Sequence, residues 1–141
     1  MMDGERNREV ELTIPMLQDM ELAASRVAEA LAEVLKFDEE KRAEVSMALL
    51  EACINSFEHS KSEDRKVYIT FQTAPDELKI TLRDHGVGFQ RESIDPPKIE
   101  EKLRPGVRKR GWGLKLMESL MDSVAIDSDE YGTTIVMVKK K

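Results

Sequence analysis

Val10, Leu12 and Ile14 alternate with polar residues and stop at Pro15, a pattern that predicts a first strand with one buried face. From Met16 to about Leu35 the period changes. Leu17, Met20, Ala24, Val27, Ala28, Leu31 and Leu35 recur every three or four residues, which predicts an amphipathic helix. Phe37-Asp38-Glu39-Glu40 reads as a short connection in which Asp38 caps a second helix running to about His59. Ala43, Met47, Leu50, Ile54 and Phe57 lie along one face of that helix, and Val45, Leu49 and Ala52 make the opposite side apolar too. The pattern therefore predicts a largely buried helix.

Lys66 to Thr73 and Glu77 to Arg83 alternate as strands do, joined by a hairpin turn at Ala74-Pro75-Asp76. Residues from about Gln90 to Arg110 hold Pro96, Pro97 and Pro105 among many charges and show no period. Inside a compact domain so long a connection is either disordered or functional, and a mobile cover over a site is one reading of it. Leu114, Met117, Leu120 and Met121 form a third helical stripe, and Val124 to Ile126 and Thr134 to Val138 predict two closing strands around Tyr131-Gly132. The order β-α-α-β-β-loop-α-β-β predicts an α+β two-layer sandwich, a mainly antiparallel mixed sheet with about three helices on one face.

Composition narrows the class. The chain has 141 residues, 40% hydrophobic and 35% charged, which suits one soluble globular domain spanning 1–141. No run approaches the roughly 20 apolar residues of a spanning helix, and the N-terminus is too charged for a signal peptide, so the expected location is the cytoplasm, away from membranes. A net charge of −6 argues against direct nucleic-acid binding, which depends on neutralising phosphates. Cys53 is the single cysteine, so no internal disulfide can form, and it reads as a small buried apolar residue.

Three separated fragments carry candidate chemistry. Glu51 and Asn55 are four apart on the second helix and emerge on one stripe, where burial would require partners. An interhelical hydrogen bond would satisfy them. So would a site in which Asn55 offers a carbonyl oxygen to Mg²⁺ and Glu51 acts as a general base. Asp84 ends a strand and leads into His85-Gly86-Val87-Gly88, either a tight turn or a place where a carboxylate accepts from an exocyclic amine beside closely approaching backbone. His85 reads as a solvent-facing turn residue. Gly111 and Gly113 lie just before the third helix, either as a flexible helix entry or where free amides and the helix dipole favour anions, and Arg108, Lys109 and Arg110 before them read equally as anion contacts or as a solvated basic run.

In this order and spacing the fragments resemble the ATP-binding boxes of the histidine-kinase-like ATPase superfamily, which includes gyrases, sensor kinases and a heat-shock chaperone. Glu51-Ala52-Cys53-Ile54-Asn55 looks like the first box, Asp84-His85-Gly86-Val87-Gly88-Phe89 like the second, Gly111-Trp112-Gly113-Leu114 like the third, and Gly132-Thr133-Thr134 like the closing strand. The resemblance implies a Bergerat-type ATP-binding fold with a lid at about 90–110. It implies ATP and Mg²⁺ as ligands, with Glu51 activating an acceptor hydroxyl and Asn55 holding the metal. Asp84 would read adenine, with Gly86 and Gly88 bordering the base. Gly111, Gly113 and Leu114 would sit at the phosphates, Thr133 would support Asp84, and Arg108 or Arg110 would reach the γ-phosphate. His85, Trp112 and Lys115 depart from the pattern.

Among the branches, the short chain, the Phe37-Asp38-Glu39-Glu40 connection and Met117-Glu118-Ser119-Leu120-Met121-Asp122 are most similar to the anti-sigma-factor serine kinases. That branch implies a protein serine/threonine kinase that sequesters a sigma factor, phosphorylates an anti-sigma-factor antagonist and forms a homodimer. The alternatives are an ATP-binding sequestering module without kinase activity, and a stand-alone histidine-kinase-type ATPase domain.

Overall fold

The computed structural model describes residues 8–86 and 110–141, with side chains from Gly113 onward in the second span. Its elements in chain order are β1 (Arg8–Pro15), α1 (Met20–Val34), α2 (Glu39–His59), β2 (Lys66–Ala74), β3 (Glu77–Asp84), α3 (Arg110–Leu120), β4 (Ser123–Asp129) and β5 (Gly132–Lys140). The five strands form one sheet in the order β1-β2-β3-β5-β4, and all four pairings are antiparallel. The expected α+β sandwich is present, but the mixed component is not: no described pairing is parallel, since β1 reaches β2 through α1 and α2, β2-β3 and β4-β5 are hairpins, and the α3 excursion from β3 leads to β4 with β5 antiparallel between them.

Alternation decides which face is covered. Ile14, Val67, Ile69, Phe71, Leu78, Ile80, Leu82, Ile135 and Met137 are buried on the helix side. On the opposite face the cross-strand rows run Glu11-Thr70-Thr81-Val136-Ala125 and Thr13-Tyr68-Arg83-Thr134-Asp127. Three helices lie over the apolar face. Ala24, Ala28 and Ala32 repeat every four residues along α1, so the helix packs its small side chains against the core.

Local chemistry sets the helix ends. The α1 helix begins four residues later than its periodicity suggests, because Pro15 ends β1 and residues 16–19 turn the chain, with Asp19 at φ 75°. At its other end Lys36 sits at φ 63°, and Phe37 N donates to Ala32 O at 3.0 Å, closing the helix and burying Phe37. Asp38 caps α2 by accepting from Lys41 N at 2.8 Å.

The α2 helix is buried on one side only. Val45, Ala48, Leu49, Ala52 and Cys53 face the core, whereas Met47 is 49% exposed and Leu50 and Ile54 are half-buried. Expecting near-complete burial overlooked that a helix laid on a sheet between two others keeps an outward side. Burial pushes the Cys53 thiol from 9.0 up to about 12, with the Glu21 charge adding to the effect.

The inner sheet face is polar at both ends. At one end Asp84, Thr133 and Ser128 occupy a single cross-strand row. At the other, Lys139 is buried beside Leu78, paired with Glu44 at 3.0 Å and donating to the Leu120 carbonyl, so that it joins β5, α2 and the C-terminus of α3. The row at the first end positions the site.

Candidate functional site

The α2 helix supplies the first wall. Glu51 and Asn55 are 7% and 4% exposed, and Ser56 beside them is also buried. Four-residue spacing puts Glu51 and Asn55 on one stripe, while Ser56, a further 100° round the helix, faces the end of β3. Its Oγ donates to Asp84 Oδ2 at 2.9 Å, and Gly86 N donates to Asp84 Oδ1 at 3.0 Å. The carboxylate, 3% exposed, therefore has one donor on each oxygen and further lone pairs to offer.

Three glycines allow these parts to approach one another. A Cβ at Gly113 would lie 2.8 Å from Glu51 Oε2, so the first turn of α3 presses directly on the Glu51 carboxylate. A Cβ at Gly86 would strike Ser60 Oγ and come within 3.0 Å of Lys61 N, so this glycine makes room for the end of α2. Gly132, at φ 148°, lies against the Asp84 backbone carbonyl, where a side chain would collide. The α2 helix thus touches the second fragment through Ser56, just past the first fragment, and Asp84, and the third through Glu51 and Gly113.

The turn after Asp84 is braced from outside. His85 stacks on Tyr68 with ring centroids 4.8 Å apart, and its Nδ1 lies 3.4 Å from Asp64 Oδ2. Tyr68 donates its hydroxyl to the same Asp64 oxygen at 2.6 Å. That hydroxyl, with the Lys66 amide, holds the Asp64 carboxyl below its usual range, and Asp64 in turn raises the Tyr68 phenol. A cavity of about 410 Å³ lined by Lys61, Glu63, Asp64, His85 and Gly86 adjoins the brace. His85 is thus solvent-facing, as its turn position suggests, and also tethered.

Gly111 and Gly113 fall inside α3 rather than before it, because the helix begins at Arg110. Glycine is tolerated in a first turn, whose amides have no intrahelical partner. Leu114 packs half-buried against the core. Thr133 is the register partner of Asp84, yet its hydroxyl lies 3.2 Å from Ser128 Oγ, and the described hydrogen bonds to the carboxylate come from Ser56 and Gly86. Gly88, Arg108 and residues 90–109 of the expected lid lie outside the described residues, as does the Arg110 side chain. Sequence reasoning missed Ser56. Its only signal was a hydroxyl one position after Asn55 on a helix side that the strand end had to meet.

The donor set fits a magnesium nucleotide. Among the described residues no group of three or more His, Cys, Asp or Glu could enclose a metal. A hard cation that keeps waters and phosphate oxygens needs no such cage, and a buried amide oxygen such as that of Asn55 is a ligand type it accepts.

Several known proteins are similar to this chain. The Histidine kinase-like ATPase domain family matches residues 15–139. An anti-sigma F factor of Oceanobacillus iheyensis is 35% identical over 103 residues, 69% of this chain and 68% of that protein. The serine-protein kinase RsbW of the same organism is 30% identical over 139 residues, 92% of this chain and 85% of that protein. A crystal structure of RsbU and RsbW domains from Mycobacterium tuberculosis superposes with a TM-score of 0.69 at 16% identity, covering 93% of this chain and 32% of that one, a likeness of fold.

Proposed function

This chain belongs to the histidine kinase-like ATPase domain family, and from that premise we propose that it is an anti-sigma factor and ATP-dependent protein serine/threonine kinase. It sequesters a sigma factor and phosphorylates a serine or threonine of an anti-sigma-factor antagonist. The observation that carries the reading is the convergence of Glu51, Ser56-Asp84 and Gly113 through direct contacts. Relatives named as serine-protein kinase and as anti-sigma F factor support both halves of it.

The roles proposed are those the family resemblance implies. Asp84 accepts the adenine amine beside the Gly86 turn, with Gly88 bordering the base and Thr133 behind it in the cross-strand row. Asn55 holds Mg²⁺, which when bound offsets charge on the phosphates. The first-turn amides of α3 at Gly111, Gly113 and Leu114 face the phosphates, and Arg108 or Arg110 reaches the γ-phosphoryl group. Glu51, pressed against Gly113, takes the proton of the acceptor hydroxyl as that hydroxyl's oxygen bonds to the γ-phosphorus and the bond from phosphorus to the bridging oxygen breaks, releasing ADP. Phosphoryl transfer asks a protein chiefly for positioning and charge stabilisation, which these groups supply.

The same proposal makes residues 1–141 one domain with a nucleotide cover at about 90–110, working as a cytoplasmic homodimer. No described helix is long and apolar enough to cross a membrane. The test is transfer of the γ-phosphoryl group of labelled ATP to candidate antagonist proteins. The wild-type chain should label a serine or threonine, and Glu51→Ala should bind ATP and label nothing. Nucleotide binding without transfer by the wild type would make the chain a sequestering module instead.

A further inference from the structure

We infer that Ser56 is a positioning residue for base recognition: through Asp84 it makes the pocket select a purine that carries a 6-amino group. The inference rests on the reading above that Asp84 meets the base. A buried helical serine ordinarily bonds back to its own helix. Ser25, also buried, does this here, donating to the carbonyl of Leu22 three residues earlier. Ser56, 2% exposed, instead reaches across to β3 and donates to Asp84 Oδ2 at 2.9 Å.

That bond fixes the plane of the carboxylate. Gly86 N holds Oδ1 at 3.0 Å while Ser56 holds Oδ2, so rotation about the Asp84 Cβ–Cγ bond breaks one contact or both. With both donors supplied by the protein, each oxygen presents only acceptor capacity to an incoming group. An exocyclic amine matches that arrangement, a 6-oxo purine opposes acceptor to acceptor, and a purine with hydrogen at position 6 leaves the acceptors unmet. The neighbouring hydroxyl of Thr133 is engaged with Ser128. Ser56 also directly follows Asn55, so one turn of α2 sets the metal-holding amide and, one residue on, the acid that reads the base.

The experiment titrates ATP and purine riboside 5′-triphosphate, which lacks the 6-amino group, into wild type, Ser56→Ala and Ser56→Cys by calorimetry with Mg²⁺. Circular dichroism and thermal melting verify the fold. Cysteine keeps the side-chain shape with a weak donor, so it serves if the alanine variant does not fold. Wild type should favour ATP. Each variant should bind ATP about tenfold more weakly and the analogue less than about twofold more weakly, because the lost contact acts only through the amine. Equal losses for both nucleotides would reduce Ser56 to a packing residue and overturn the inference, as would unchanged ATP affinity. Absence of ATP preference in the wild type would instead sink the reading of Asp84 itself.

Discussion

Gly113→Ala sets helix stability and catalysis against each other. Position 113 is the fourth residue of α3, and replacing glycine with alanine inside a helix stabilises it by about 0.5–1 kcal/mol. The new methyl would lie 2.8 Å from Glu51 Oε2, closer than unbonded carbon and oxygen tolerate. The atom it meets is the end of a flexible side chain, so Glu51 swings aside, and an off-rotamer side chain costs about 0.5–1.5 kcal/mol. These terms nearly cancel, and stability should stay within about 1 kcal/mol of wild type, or roughly 3 °C in Tm for a chain of this size. Transfer should not survive so well. A misplacement approaching 1 Å can cost about 100-fold, so the kinase rate should fall at least about tenfold while ATP still binds. Thermal melting, calorimetry and a labelled-phosphate transfer assay on one preparation measure all three. Full transfer activity in a stably folded Gly113→Ala variant would refute the claim that Glu51 acts from where it lies.

Gly132→Ala should behave differently, because the obstacle is the Asp84 backbone and the φ of 148° already disfavours a side chain; urea denaturation should show a loss of at least about 2 kcal/mol. Lys139→Met keeps the apolar stem but leaves the Leu120 carbonyl and Glu44 without their cation, and the same assay should show a loss of about 1–3 kcal/mol. The Cys53 thiol, raised by burial to about 12, contributes stability that is complete below 9.0 and is lost as pH rises through about 12, since only the unfolded chain ionises in between. A Cys53→Ala variant should therefore show a shallower alkaline decline of stability between these pH values, and native wild-type Cys53 should resist thiol reagents that label it at once in denaturant.

Much of the fold was legible because each period met its expected surface. Val10, Leu12 and Ile14 alternate, and they do turn inward from an edge strand. Pro75-Asp76 between two alternating runs does make a hairpin, with Ala74 opposite Glu77. Reading both sides of α2 as buried failed at Met47, because apolar periodicity measures pattern and not which neighbours arrive. Gly111 and Gly113 looked like a break before a helix, yet the first turn asks little of its residues, so glycine can sit inside it. The candidate site was legible as residue types with the right spacing on separate elements. The contacts joining them, Ser56 to Asp84 and Gly113 to Glu51, depend on how α2 crosses the sheet end and meets α3. No local pattern encodes that crossing.

The central claim is that groups on α2, β3 and α3 converge on one magnesium nucleotide, and calorimetric titration of ATP with Mg²⁺ into wild type, Asp84→Asn and Asn55→Ala tests it most directly. Binding by the wild type should be lost or weakened at least about 100-fold in Asp84→Asn, whose amide turns a donor toward the amine. Binding to Asn55→Ala should become nearly indifferent to added Mg²⁺. Heat of binding absent from the wild type, or unchanged in Asp84→Asn, would contradict the account.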